Sequence, residues 1–363
     1  MSLLAEMNDK ALKLGVPISV HLDLTYRCNE RCVHCYLDHD DKGEMSTAEI
    51  EGILDQLAET GVFFLTLSGG EVLMRRDFFG IVQHARELRF NVKVKTNGVM
   101  IRESEAKRLR ELGVEQIQIS VYSHREEVHD AITKLPGSLR RTLDAIRFLK
   151  AHGLKVTIAN VLMPGNLSDN SGVMALAKEL GVACTVDPTI TPKMDGDRSL
   201  LDLRISSNAL KGVFHNEELV GDVDQFCAPP PPVGEDIMEG YPCSAGHTGC
   251  YISPYGDVFP CVQFPLACGN LRNQSFREIW RNSPQLKEVR SIRAKDLYTC
   301  SSCAHVGTCT RCPGLAYMEG NMRGPSTADC EKSFQRTGIR SAGMLSKARL
   351  QPSPPLIQIQ PAL

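Results

Sequence analysis

The sequence predicts an α/β fold built on a parallel sheet, followed by a smaller cysteine-rich module. Three observations predict it. Strand-like and helix-like patterns alternate over residues 18–187. Glycines close the helical segments at Gly61, Gly113, Gly153 and Gly181, where a left-handed cap is wanted. The 14 cysteines fall in clusters rather than singly. In a long chain whose first residues do not read as an export signal, that clustering points to metal ligation in a reducing, cytoplasmic setting.

Residues 1–17 are expected to form a short lead helix ending at Gly15 and Pro17, with no room for a recognition domain ahead of the barrel. Strands are predicted over 18–25, 62–68, 91–96, 114–121, 154–161 and 182–187. Helices are predicted over 46–59, 76–88, 103–112, 138–152 and 169–180. Ser46, Thr47 and Glu49 resemble a capped helix start. Six strands alternating with helices imply a parallel sheet with right-handed crossovers. Residues 188–240 read as a bridge, with a helix over 206–214 and a proline run at 229–232 that stiffens the connection. Residues 241–332 hold the second cysteine field. Residues 333–363 read as a helix and a disordered tail.

Charge narrows the partners. Lysine plus arginine is 41 and aspartate plus glutamate is 43, a net −2. That gives no electrostatic case for nucleic acid or an anionic membrane. The hydrophobic share of 42% suits a soluble globular protein. No apolar run nears the ~18 residues that span a bilayer.

Polar and glycine-rich clusters follow strand after strand, where parallel α/β folds place their sites. Cys28, Cys32 and Cys35 follow the first strand, spaced CX3CX2C. Three thiolates in one tight loop hold three irons of a [4Fe-4S] cube and leave the fourth open for a ligand. A zinc loop short of its fourth ligand is the competing reading. Ser68, Gly69, Gly70 and Glu71 follow the second strand. Asn97 ends the third, and Ser120 and Tyr122 end the fourth. Glycines admit close approach of backbone to a ligand, and Glu71 with nearby carbonyls offers acceptors for an ammonium.

The CX3CX2C loop with Gly69-Gly70-Glu71 behind it resembles the radical S-adenosylmethionine (SAM) superfamily. The resemblance implies a partial (β/α)6 TIM-type barrel. It implies SAM on the open iron, reductive cleavage to a 5′-deoxyadenosyl radical, and hydrogen abstraction from substrate. It implies SAM contacts at His34, Gly69, Gly70, Glu71, Asn97 and Ser120. An arginine that often follows a His-Asp pair in such enzymes is missing after His129-Asp130, which leaves Arg140 and Arg141 as candidates for that clamp.

The second field is equally specific. Cys243, Gly256 and Cys261 are spaced C-X12-G-X4-C. Cys300, Cys303, Cys309 and Cys312 are spaced CX2CX5CX2C, and Cys330 follows. This resembles the SPASM module, although the family interval before the last cysteine is X3. The resemblance implies two closed auxiliary [4Fe-4S] clusters, three clusters in all. Cys243, Cys250, Cys261 and Cys312 would hold one; Cys300, Cys303, Cys309 and Cys330 would hold the other. Two zinc ribbons are the competing reading of the CX2C pairs. Cys184, Cys227 and Cys268 are left over and read as inert.

The resemblance implies an oxidoreductase that matures a peptide or protein substrate, crosslinking or dehydrogenating its side chains. An electron donor such as flavodoxin or ferredoxin, and a separate leader-binding protein, would be its partners. A tetrapyrrole-modifying enzyme is the first alternative. Sulfatase maturation is a second, opposed by Val262 and Gln263 where an aspartate is expected after Cys261. A non-catalytic zinc adaptor is the alternative from another class.

Overall fold

Alternation of apolar and polar residues decides which side of each strand meets the helices. The computed structural model describes residues 3–345. After the lead helix α1 (Leu3–Leu14) come β1 (Ser19–Thr25), α2 (Thr47–Thr60), β2 (Phe64–Gly69), α3 (Phe78–Glu87), β3 (Asn91–Thr96) and α4 (Glu103–Glu111). Then follow β4 (Gln116–Ser120), α5 (Glu126–Thr133), α6 (Ser138–Ala151), β5 (Lys155–Val161), α7 (Asn170–Leu180) and β6 (Ala183–Asp187). All six expected strands are present. Helix α5 is an addition; it is short and lies in a segment read as loop.

Val20, Leu22, Leu65, Leu67, Val92, Val94, Ile117, Ile119 and Ile158 are buried on one face of the sheet. They pack with Ile50 and Leu54 of α2, Ile81 and Val82 of α3, Leu109 of α4 and Ile146 of α6 in one apolar core. Each such side chain contributes roughly 1.5–3 kcal/mol on burial. The intervening residues are polar and point to the opposite, inner face. The Ser46–Glu49 capping box starts α2, and Gly61, Gly113, Gly153 and Gly181 all adopt positive φ at helix ends.

The sheet does not stop at β6. Strands β7 (Gly249–Ile252), β8 (Asp257–Phe259) and β9 (Gly269–Asn270) continue it on the far side of β1. The order is β6-β5-β4-β3-β2-β1-β7-β8-β9. β7 runs parallel to β1, pairing Ser19 with Gly249 and Leu22 with Ile252. β8 and β9 are antiparallel additions. The six-strand array stays open, because β1 pairs with β7 where a closed barrel would need β6. The cysteine-rich module therefore shares a sheet with the first half.

Residues 188–240 carry α8 (Ser207–Phe214), capped by Ser206 as expected, and short turns beyond it. Residues 229–232 have no regular structure. The helix Thr327–Thr337 begins earlier than the expected boundary at 333, and a short helix follows at Ala342–Leu345. The expected tail lies outside the described residues. Among the described residues no helix is long and apolar enough to cross a membrane.

Candidate functional site: two cysteine fields on one sheet

The first cysteine loop is strapped to its surroundings by backbone. The Arg31 amide donates to Thr133 O and the Val33 amide to Ile132 O, both at 3.0 Å, so the end of α5 holds the loop. Gly69 and Gly70 dock the end of β2 on the chain entering that loop. The Gly70 amide donates to Thr25 O at 2.7 Å, and the Glu71 amide to Arg27 O at 2.9 Å. A Cβ on Gly69 would overlap the Thr25 carbonyl, and one on Gly70 the Arg27 carbonyl. These glycines are thus required first by chain-to-chain packing.

Glu71 is fully buried. Its carboxylate accepts from the Thr96 hydroxyl at 2.8 Å, the Asn97 amide at 2.9 Å and the Leu73 amide at 3.1 Å. Burial raises its pKa, and these bonds act against that rise. Asn97 passes the constraint on: its Nδ2 donates to Asn29 Oδ1 at 2.8 Å and lies 3.8 Å from Cys28 Sγ. The recorded partners of Glu71 all belong to the protein, and they tie the ends of β2 and β3 to the cysteine loop.

Burial pushes the Cys28 thiol up to about 12 and raises Cys32 and Cys35, and Cys35 raises Cys28 and Cys32 further. Thiols so placed ionise when a metal replaces the proton. Two buried polar atoms flank the loop without a protein partner, Glu30 Oε1 and His34 Nδ1. Glu30 accepts from the Cys32 thiol at 3.3 Å, and burial lifts its pKa to about 7. His34 lies edge-on to Tyr122, ring centres 4.8 Å apart. Burial lowers its pKa to about 4, so the ring is neutral. Ser120 hydrogen bonds with Tyr122, which brings His34, Tyr122 and Ser120 together. Glu30 and Asn29 went unread in the sequence because an acid or amide between cysteines looks like a solvated loop. Arg141 bonds Gly137 O and Pro136 O at its own helix start.

The second field makes two basins. Cys300, Cys303, Cys309 and Cys330 line a cavity of about 290 Å³ with His305, Arg311 and Asp329. Burial, then the other three thiols, raises Cys330 to about 12. Unpartnered atoms lie in this region too: His305 Nδ1, Thr308 Oγ1 and Arg311 Nη1. Cys243, Cys250 and Cys261 line a wider basin of about 450 Å³ beside Ser19 and His21 of β1. Cys312 does not line it. Its amide donates to Asp329 at 2.8 Å, and its Sγ is 3.8 Å from Gln263 Oε1. Cys268 is buried near Cys250 and donates to Leu266 O at 3.2 Å. Cys184 is half-buried against the sheet core, and Cys227 donates to Phe214 O at 3.4 Å.

Among the described residues no three His, Cys, Asp or Glu side chains gather closely enough for a single metal ion. Zinc wants its thiolates about 2.3 Å from one point. Thiols spread around a cavity, with unpaired polar atoms nearby, suit a polynuclear group better.

Comparison with known proteins agrees with this chemistry. The radical SAM superfamily model matches residues 22–170, and the SPASM iron-sulfur cluster-binding domain matches residues 243–313. The AdoMet-dependent heme synthase of Methanosarcina barkeri is 30% identical over 331 residues, spanning 84% of this chain and 93% of that protein. Mycofactocin maturase MftC of Mycobacterium tuberculosis is 31% identical over 311 residues, spanning 82% of this chain and 78% of that protein. The fold also matches Streptococcus suis SuiB bound to its precursor peptide SuiA, with TM-score 0.72 at 18% identity, covering 90% of this chain and 79% of SuiB.

Proposed function

The chain belongs to the radical SAM superfamily and carries an iron–sulfur SPASM module, and from that premise we propose that it oxidatively modifies side chains of a peptide or protein, by crosslinking or dehydrogenation. The observation that carries this reading is the β1–β7 pairing. It puts the strand that leads into the three-thiol loop and the basin lined by Cys243, Cys250 and Cys261 side by side on one continuous sheet.

The chemistry supplied at Cys28, Cys32 and Cys35, when a [4Fe-4S] cluster and SAM are bound there, is one-electron cleavage of SAM to a 5′-deoxyadenosyl radical that takes a hydrogen atom. The chain's own residues orient and shield. His34, Gly69, Gly70, Asn97 and Ser120 form the candidate SAM surface. Glu71 is placed with them and acts through Asn97, since its oxygens already hold Thr96 and Asn97. The thiols are half-buried, and the buried Ile132 beside the Val33 amide shields that side of the loop from water. Cys300, Cys303, Cys309 and Cys330 would hold one closed cluster. Cys243, Cys250, Cys261 and Cys312 would hold another, Cys312 already interacting with Cys261. A substrate radical ends as a new bond by losing one electron and one proton, and the groups that these eight cysteines would hold could take up the electron. A flavodoxin or ferredoxin would supply the first electron, and a leader-binding protein would present the peptide.

A relative named as a mycofactocin maturase supports the peptide reading. The second reading, a tetrapyrrole substrate, is favoured by the similarity to a heme synthase along 93% of its length. The experiment is anaerobic purification with iron, sulfide and zinc analysis, then SAM and dithionite. About twelve irons per chain and released 5′-deoxyadenosine are expected. Iron-free protein holding zinc would end the reading. Candidate peptides and porphyrins, compared for suppression of uncoupled deoxyadenosine, separate the two substrate classes.

A further inference from the structure

The inner face of the sheet carries half-buried positive charge with no hydrogen bond or ion pair among the described residues. On β3, Lys93 and Lys95 are two residues apart and so point the same way, opposite to buried Val92 and Val94. In the sheet, Lys93 sits between Thr66 of β2 and Gln116 of β4, and Lys95 sits beside Gln118. Neither lysine has a hydrogen bond or an ion pair among the described residues. Asp23 is the carboxylate that Lys95 faces. Its oxygens are already engaged, Oδ1 by His21 Nε2 at 3.0 Å and Oδ2 by the Tyr251 hydroxyl at 2.9 Å. His21 lies near both lysines, and burial holds it neutral. The remaining acidic group before Lys95 is the Cys261 thiol.

Sequestering an ammonium from water costs several kcal/mol unless an anion replaces the lost hydration. Two neighbouring ammoniums, of which only Lys95 faces a carboxylate and that one is already engaged, leave room for a second anion. We propose that Lys93 and Lys95 form a binding site for a carboxylate of the substrate, held against the inner face of β3 between the first cysteine loop and Cys261. A carboxylate has two oxygens to accept from two ammoniums. The anchor is stiff, because β3 runs directly into Thr96 and Asn97, which bond Glu71 and Asn29. A group fixed at Lys95 is thereby fixed relative to Cys28, which is what a hydrogen transfer over a short reach demands. The site would select for peptides with a free carboxylate near the modified side chain. It rests on the reading above, that the substrate is a peptide or protein.

The test is equilibrium dialysis of the cluster-loaded protein with SAM against radiolabelled hippurate, a carboxylate beside a peptide bond. Hippuramide serves as the uncharged control. Saturable uptake of hippurate and not of hippuramide is expected. The uptake should be lost in Lys95→Met, weakened in Lys93→Met and kept in Lys95→Arg. Equal uptake of the amide, or unchanged uptake by both methionine variants, would overturn the site. So would loss in Lys95→Arg as well, since a positive charge should suffice. Stronger uptake of N-acetylglutamate α-amide than of hippurate assigns the carboxylate to a side chain; the reverse assigns it to the C-terminus. Either order supports the site. Deoxyadenosine release by the unmodified protein is scored separately. Release without hippurate uptake sinks only the lysine site, and uptake without release sinks only the radical reading.

Discussion

The two cysteine fields solve opposite problems with the same side chain. Cys28, Cys32 and Cys35 lie within eight consecutive residues, so the loop itself brings them near one another. What the fold adds is restraint, from α5 behind the loop and from the Glu71–Asn97–Asn29 chain beside it. Cys300 and Cys330 stand thirty positions apart and meet only because the helix Thr327–Thr337 packs over the module. The first field is local and offers one thiol too few for a cube. The second is long-range and offers a full set. Thiol count separates a site that admits a ligand from one that is closed.

The sharpest way to break this contrast is to remove one thiol from each field. Cys32→Ala should abolish deoxyadenosine release, while Cys303→Ala should spare part of it. Each should lose about four irons of about twelve. Complete and equal loss in both, by iron assay and chromatography, would erase the distinction. Gly70→Ala comes next. Its added Cβ meets the Arg27 carbonyl, backbone that cannot swing aside. A destabilisation of about 1–3 kcal/mol is expected, with SAM cleavage falling and the iron of the second field retained. Denaturant unfolding and iron analysis would check it, and a stable, active variant would show that the glycine is not needed for packing.

A smaller effect tests the seam between the fields. Tyr251→Phe removes the hydroxyl that joins Asp23 at 2.9 Å and Tyr26 at 2.6 Å across β1 and β7. Leaving a buried acceptor short of a partner costs about 1–3 kcal/mol. The loss should be visible as a lower denaturant midpoint with an unchanged slope. The last test of the comparison is in pH. His129 accepts from the Tyr122 amide at 3.2 Å, and burial depresses its pKa to about 4. The unfolded chain, with an ordinary histidine pKa near 6.5, then binds more protons than the folded one at intermediate pH. Its contribution to stability is complete above about pH 6.5 and is lost as pH falls toward about 4. Thermal unfolding of the metal-free protein should show that fall, and His129→Gln should shrink it, buried His34 supplying part of what remains. A Gln variant with the same pH profile would assign the acid sensitivity elsewhere.

Much of the site was legible because its parts are local. CX3CX2C, Gly69-Gly70-Glu71 and the ends of β1 to β4 depend on spacing and on the two-residue period of a strand, both visible in one dimension. Other parts were not. Glu71 reads as a ligand contact in the sequence, whereas folding turns its carboxylate onto Thr96 and Asn97. Glu30 reads as solvated and is buried. Cys312 carries the right residue type at a shortened interval; its amide is held by Asp329, and its thiol interacts with Cys261 of the wider basin.

Residue order alone therefore determined the six alternating strands, the glycine caps, the three-thiol loop and the kind of metal chemistry. These follow from periodicity, backbone freedom and ligand spacing, which act over a few residues. Tertiary structure alone decided that β7 would lie beside β1, that thiols thirty residues apart would share a cavity, and that Lys93 and Lys95 would face inward with no hydrogen bond or ion pair among the described residues. Register between distant strands and the burial of charge are properties of the assembled sheet. Loop-closure entropy and packing settle them together, and no short window of sequence carries that balance.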